Sequence, residues 1–225
     1  MLPRAVCVPG LGLGAEAWLP TTTGMTVAES EVALLPAFGT RPDRNDDLRP
    51  ESLGRVLAER LLKESHRPVV LLGHSASCQI VVHAAAARPG VVSALVLVGP
   101  TTDPRAQSWL ALAQRWLRTA AHEDPRQVRM LVRLYGRNGV RQMLRAMDAA
   151  RDDDIRQSLD RVTCPVLVLR GRRDRICPED WAHALVRMGA QDWRGETLDA
   201  GAHMVPITHG SDTAAAINRF LLTSA

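Results

Sequence analysis

Two hydrophobic rhythms alternate along the chain. Short runs rich in β-branched residues, at 4–8, 31–35, 68–72, 91–98 and 165–170 and more weakly at 196–198, predict strands. Between them, apolar residues at three- and four-residue spacing predict helices over 50–65, 76–87, 178–188 and 212–222. Unbroken apolar runs suit strands covered on both faces, and strand–helix alternation suits parallel pairing. The predicted fold is therefore α/β, a mostly parallel, doubly wound sheet of about six strands. The helix from Ala76 is apolar nearly all round (Ile80, Val81, Val82, then four alanines), which predicts a buried central helix ended by Pro89-Gly90.

The alternation breaks once. From Pro100 to Arg161 only helical periodicity remains: Ala106, Trp109, Leu110, Ala113, Trp116, Leu117 and Ala120 form one stripe. Val128, Leu131, Val132 and Tyr135 form a second, and Val140, Met143, Leu144 and Met147 a third. Residues 1–99 and 162–225 thus read as one core, and 100–161 as a helical cap inserted into it. The two tryptophans at helical spacing are expected to pack and not to stack on a substrate.

Composition narrows the class. With 225 residues, 46% hydrophobic and 23% charged, the chain can bury one core, or one core with an insertion. No apolar run approaches the roughly 20 residues needed to span a bilayer, so no membrane partner is expected. The apolar stretch before Pro9-Gly10 is too short for a signal-peptide core. The net charge of +4 comes almost wholly from arginine, with Lys63 the one lysine, interleaved with acids and not gathered in runs. Without a recognisable binding module, nucleic acid is not an expected partner. Four cysteines lie far apart with no C-x-x-C pair, which suits free thiols in a reducing, cytoplasmic setting.

The most specific local signal is Val69-Val70-Leu71-Leu72-Gly73-His74-Ser75-Ala76-Ser77, an apolar strand running into Gly-x-Ser-x-small and directly into a helix. A sharp strand-to-helix turn strains its central residue and tolerates only small residues two positions either side, here Gly73 and Ser77. The Ser75 hydroxyl would then sit exposed beside a helix N-terminus, which favours developing negative charge. A plain helix-capping role for Ser75 explains neither small flank. Ser77, in the first helical turn, is expected to face the packing interface, and His74 to point away from Ser75.

A serine hydroxyl needs a base, and the base needs an orienting carboxylate. Asp174 follows the strand 165–170, and His203 lies in a loop after the last strand, so the order is Ser, Asp, His. His209 is a decoy for the histidine, and Asp103, after strand 91–98, is the rival acid. A surface ion pair with Arg172 or Arg175 is the plainer reading of Asp174. The glycine-rich turn after the first strand puts the Leu11 N–H where it could meet that of Ala76 on one oxygen, an oxyanion hole.

These residues together resemble the α/β-hydrolase superfamily over nearly the whole chain. Pro9-Gly10-Leu11 with Trp18 is similar to its His-Gly-x oxyanion motif, and Gly73 to Ser77 to its nucleophile elbow. Pro165 to Asp174 is similar to its acid strand, Gly201-Ala202-His203 to its histidine loop, and the insertion to its cap. The resemblance implies a reduced α/β-hydrolase core carrying Ser75 as nucleophile, His203 as general base and acid, Asp174 as orienting carboxylate, and Leu11 and Ala76 as oxyanion donors. It implies no cofactor and no metal. Pro9 and Ser77 depart from the usual His and Gly without removing a reacting atom. The chain also starts at the oxyanion strand, without the two leading strands of larger members, and the open sheet edge leaves room for a homodimer.

The expected activity is serine-esterase hydrolysis of an ester, thioester or lactone of a small, largely apolar molecule through an acyl-enzyme. Two alternatives use the same fold: non-ester chemistry (lyase, cyclase, cofactor-free haloperoxidase or carbon–carbon hydrolase) and a catalytically silent binding module. A dinucleotide-binding reading of Gly10-x-Gly12-x-x-Ala15 fails because Pro20 and Gly24 spoil the helix it requires, and the next strand ends without a ribose-binding acid.

Overall fold

The computed structural model describes residues 2–64, 67–125, 139–189 and 192–224. Six strands form one wholly parallel sheet: β1 (Arg4–Val8), β2 (Glu29–Val32), β5 (Val69–His74), β6 (Val92–Val98), β7 (Val166–Gly171) and β8 (Arg194–Leu198). Their spatial order is β2-β1-β5-β6-β7-β8, so the chain reverses direction across the sheet between β1 and β5. A two-residue ribbon, β3 (Leu35–Pro36) and β4 (Gly39–Thr40), stands apart. β5 and β7 are buried at every position, whereas the edge strands are not: β2, predicted over 31–35, runs Glu29–Val32 and alternates between exposed and half-buried, and β8 buries only Leu198 fully, which is why its run looked weak.

Helices cover both faces. α2 (Pro50–Glu64), α3 (Ser77–Ala87) and α7 (Glu179–Val186) lie on one side, where Leu57, Ile80, Val81, Leu71, Leu95 and Trp181 share a core cluster. α9 (Gly210–Thr223) lies on the other, burying Ala214, Ile217 and Phe220 against Val70, Leu72, Val96 and Leu169, with Trp18 completing the layer. Consecutive residues of one strand therefore supply opposite cores, as a period of two demands. Each large side chain so buried contributes about 1.5–3 kcal/mol.

The insertion supplies α4 (Trp109–Ala120), α5 (Val140–Asp152) and the short α6 (Arg156–Leu159), preceded by a 3-10 turn at Pro104–Ala106. The stripe containing Val128 to Tyr135 falls outside the described residues. Two short helices were not predicted, and one expectation needs correction. α1 (Leu19–Thr22) and α8 (Val205–Thr208) are helices too short for periodicity to reveal. Trp109 and Trp116 are each 41% exposed and are not core residues, because α4 has no second layer outside it among the described residues. All four cysteines are free thiols, and burial pushes those of Cys7, Cys78 and Cys177 up, out of reach of ionisation at neutral pH. Among the described residues no helix is long and apolar enough to cross a membrane.

Candidate active site

β5 passes to α3 through two residues, and that haste sets the geometry. Ser75 is driven to φ 59°, a left-handed conformation that an L residue adopts at a cost of about 1–3 kcal/mol. The surroundings enforce it. The Ser75 N–H donates to the Val98 carbonyl at 2.9 Å. A Cβ on Gly73 would lie 2.9 Å from the Cys78 nitrogen, so the strand and helix cross where no side chain fits. Ser77 is fully buried; its Oγ accepts the His74 N–H at 2.8 Å and lies 2.9 Å from the Val8 carbonyl, tying the end of β1 to β5. Ser77 is thus a structural clamp, and Ser75 is left half-exposed at the corner.

The structure brings the three predicted residues together. His203 Nε2 lies 2.8 Å from Ser75 Oγ, and His203 Nδ1 lies 2.7 Å from Asp174 Oδ2. The carboxylate can only accept, so Nδ1 carries the proton and Nε2 presents its lone pair to the serine hydroxyl. Asp174 is wholly buried, and its other oxygen accepts the N–H groups of Ile176 and Cys177 at 2.8 and 2.9 Å. The surface ion-pair reading of Asp174 therefore fails; Arg172 pairs with Asp199 instead. Burial disfavours the His203 cation, but Asp174, and then Glu123, outweigh it and raise the imidazole pKa above its ordinary value. A proton can pass from Ser75 to Nε2, with the resulting imidazolium stabilised from behind.

The rival acid is engaged elsewhere. Asp103 caps the 3-10 turn at the Arg105 N–H and pairs with Arg105 and Arg115 at 2.8 and 2.6 Å. Burial alone would raise its pKa, yet the two guanidinium groups hold it below the usual carboxylate range. His209 bonds to Thr208 Oγ1 and makes no described contact with Ser75 or Asp174. On the oxyanion side, Leu11 and Ala76 both line the cavity beside Ser75, and no described acceptor takes either backbone N–H. They are free to meet an anionic oxygen.

The cavity above Ser75 measures about 300 Å³. Its walls are mostly aliphatic, with Leu13 and Ile176 from the core and Leu112, Met143 and Met147 from α4 and α5. Trp116 also faces it, so one of the two tryptophans expected to pack serves the cavity wall. Two arginines of the cap are occupied: Arg115 by Asp103, and Arg151, which lines the cavity, by Asp148 and the Trp109 ring, 5.4 Å from its guanidinium carbon. Among the described residues no group of three His, Cys, Asp or Glu side chains could hold a metal.

Four supporting residues escaped the sequence reading. Gly99, at φ 58°, leaves little room for a Cβ, which would stand 3.0 Å from His203 Nδ1 and 3.2 Å from Asp174 Oδ2. Arg170 is buried and donates to the Cys177 and Asp174 carbonyls at 2.7 and 2.9 Å, strapping the loop that carries Asp174. His74 points away from the Ser75 hydroxyl as expected, yet its Nε2–H donates to the His203 carbonyl at 3.0 Å. Burial, with a contribution from His203, lowers its pKa to about 3, so no second cation competes beside His203. Glu123, in the cap, accepts the backbone N–H groups of His203 and Met204 at 2.7 and 2.9 Å. Gly99, directly after a strand, and Arg170, four and seven residues from its partners, left local signals; the bonds of His74 and Glu123 are contacts between distant segments.

A family model described as "Alpha/beta hydrolase family" matches residues 5–216. The chain is similar to the pimeloyl-[acyl-carrier protein] methyl ester esterase of Methylococcus capsulatus, at 26% identity over 99% of this chain and 96% of that protein. Among solved structures it is similar to MenH from S. aureus, with a TM-score of 0.80 and 14% identity over 99% of this chain and 94% of that one. It is likewise similar to the enol-lactonase from Burkholderia xenovorans, with a TM-score of 0.77 and 17% identity over 99% and 92% of the two chains.

Proposed function

We propose that this chain, which belongs to the alpha/beta hydrolase family, is a serine hydrolase that cleaves an ester, thioester or lactone of a small, largely apolar molecule. One observation carries the reading: a strained serine whose hydroxyl lies 2.8 Å from an imidazole that is backed at 2.7 Å by a buried carboxylate. In this reading Ser75 attacks the substrate carbonyl as its proton moves to His203 Nε2. The N–H groups of Leu11 and Ala76 receive the developing oxyanion, each donor contributing about 3 kcal/mol of transition-state stabilisation. The imidazolium then protonates the leaving oxygen or sulfur, and the acyl group remains on Ser75. Water deprotonated by His203 attacks the acyl-enzyme, the acid leaves, and Ser75 regains its proton. Asp174 accepts the Nδ1–H hydrogen bond and holds the imidazole tautomer.

The aliphatic walls favour an acyl or alkyl part without charge, since a buried unpaired charge would cost several kcal/mol. A methyl ester carried on a long acyl chain fits that description, and the similarity to the Methylococcus capsulatus methyl ester esterase supports such substrates as a first choice for assay.

Labelling with a fluorophosphonate probe tests the reading. A single adduct on Ser75 is expected in the wild-type chain, lost in Ser75→Ala while the fold, measured by circular dichroism, stays unchanged. Turnover of p-nitrophenyl esters, lactones and methyl esters should vanish in the same variant. A wild-type chain that takes no adduct would turn the argument towards a silent binding module.

A further inference from the structure

Glu123 stands just past the end of α4, in the cap, yet its hydrogen bonds are made to the core. One carboxylate oxygen, Oε1, receives the backbone N–H of His203 at 2.7 Å and that of Met204 at 2.9 Å. Those two N–H groups precede α8, where the chain has no intrahelical acceptor to offer them. A carboxylate is the acceptor best suited to two adjacent donors, because charge-assisted bonds are shorter and stronger than neutral ones. The same side chain lines the cavity over Ser75. The contact therefore joins three things: the cap, the space a substrate would fill, and the peptide that carries the imidazole.

We propose that Glu123 is a positioning residue, clamping the backbone of His203 from the cap so that Nε2 faces Ser75 Oγ and the imidazole's setting depends on the cap being seated. This rests on the serine-hydrolase reading of the same site. The clamp works alongside His74, which holds the carbonyl of the residue whose N–H Glu123 holds. With the backbone N–H and C=O of His203 both held, the ring can pivot only about its own side-chain bonds, and Asp174 settles that rotation.

The electrostatics support the geometry. The charged and titratable groups facing His203 are Asp174 at Nδ1, Glu123 at its backbone and the neutral His74, whose ring centroid is 5.1 Å away. Those around Glu123 are His203, Asp174 and its chain neighbours His122 and Asp124. Burial raises the Glu123 pKa, partly offset by the Met204 N–H and by His203. When ionised, Glu123 in turn raises that of His203.

Two variants separate bond from charge. Glu123→Gln keeps a carbonyl oxygen for both N–H groups but has no charge, whereas Glu123→Ala removes the acceptor. The rate of fluorophosphonate labelling of Ser75 is measured against pH in the full chain, with circular dichroism as the folding control. Glu123→Ala is expected to label about tenfold or more slowly at neutral pH, as misplacement of a reacting group predicts. Glu123→Gln is expected to keep most of the wild-type plateau but shift its acid limb to lower pH, since the charge that favoured the His203 cation is gone. A wild-type acid limb unchanged in Glu123→Gln, or a folded Glu123→Ala that labels at the wild-type rate, overturns the proposal. If Glu123→Ala does not fold, the Glu123→Gln limb alone decides. Failure of the serine-hydrolase reading looks different, because the wild-type chain itself would then take no label.

Discussion

At the scale of single residues, the site depends on one backbone that is strained and one side chain that is absent. Ser75 holds a left-handed backbone because β5 and α3 leave it no other path, and the strain is stored where the chemistry is proposed. Gly99 does the complementary work behind the imidazole. Its missing side chain is the space in which His203 Nδ1 and Asp174 Oδ2 meet, and its φ of 58° suits no other residue well. Gly99→Ala should therefore push the imidazole off its serine. A loss of about tenfold in kcat/KM is expected, because the imidazole and carboxylate must give by only a few tenths of an ångström, with KM little changed because the cavity walls are untouched. Steady-state kinetics on a p-nitrophenyl ester would check it; wild-type kcat would show that the pair tolerates the methyl group.

At the scale of elements, the cap is fastened to the core by a buried polar network beneath α5. His83 on α3 donates Nε2–H to Asp153 Oδ1 at 2.7 Å, and its Nδ1 lies 3.0 Å from Ser158 Oγ on α6. Gln79 on α3 donates to the Ala150 carbonyl at 2.7 Å and to Asp153 Oδ2 at 3.0 Å. Serine, histidine and aspartate are thus joined here a second time, with the two ring nitrogens exchanging partners, at a serine that is buried. Ser158 is fully buried, and its oxygen already accepts a bond from Arg161. The same three side chains can be an anchor or a reaction centre, and accessibility and backbone strain decide which. Asp153→Ala would leave His83 without its acceptor in a buried setting, at a cost of about 1–3 kcal/mol. Urea denaturation should register that loss, while Ser75 in the folded variant still takes a fluorophosphonate label.

At the scale of the whole molecule, the parallel sheet brings its carboxyl ends, and with them Leu11, Ser75, Asp174 and His203, to one edge, and the cap roofs that edge. The pH behaviour of activity belongs to this assembly. His203 must be neutral to take a proton, and its pKa is raised by Asp174 and Glu123 against the opposing effect of burial. Activity should consequently fall as the pH drops through a value above that of an ordinary imidazole, with kcat/KM following a single protonation. An acid limb below the ordinary imidazole value would mean that burial, not the two carboxylates, governs the group.

Much of this was legible in the linear chain. The alternation of rhythms predicts the parallel sheet and four of its strands closely (β1, β5, β6 and β7), because strands buried on both faces leave nearly unbroken apolar runs. The turn around Ser75 is legible because its steric demands fall on residues two positions away. Asp174 and His203 are legible as candidates because each follows a strand. What the chain could not say is which acid faces which histidine. Asp103 and Asp174 both follow strands, and only the fold assigns one to two arginines and the other to the imidazole. The backbone clamp of Glu123 on His203, 80 residues along the chain, leaves no local trace either. Local sterics and periodicity act over a few residues and are written in the sequence; hydrogen bonds between distant loops exist only once packing has brought those loops together, and the tertiary structure alone decides them.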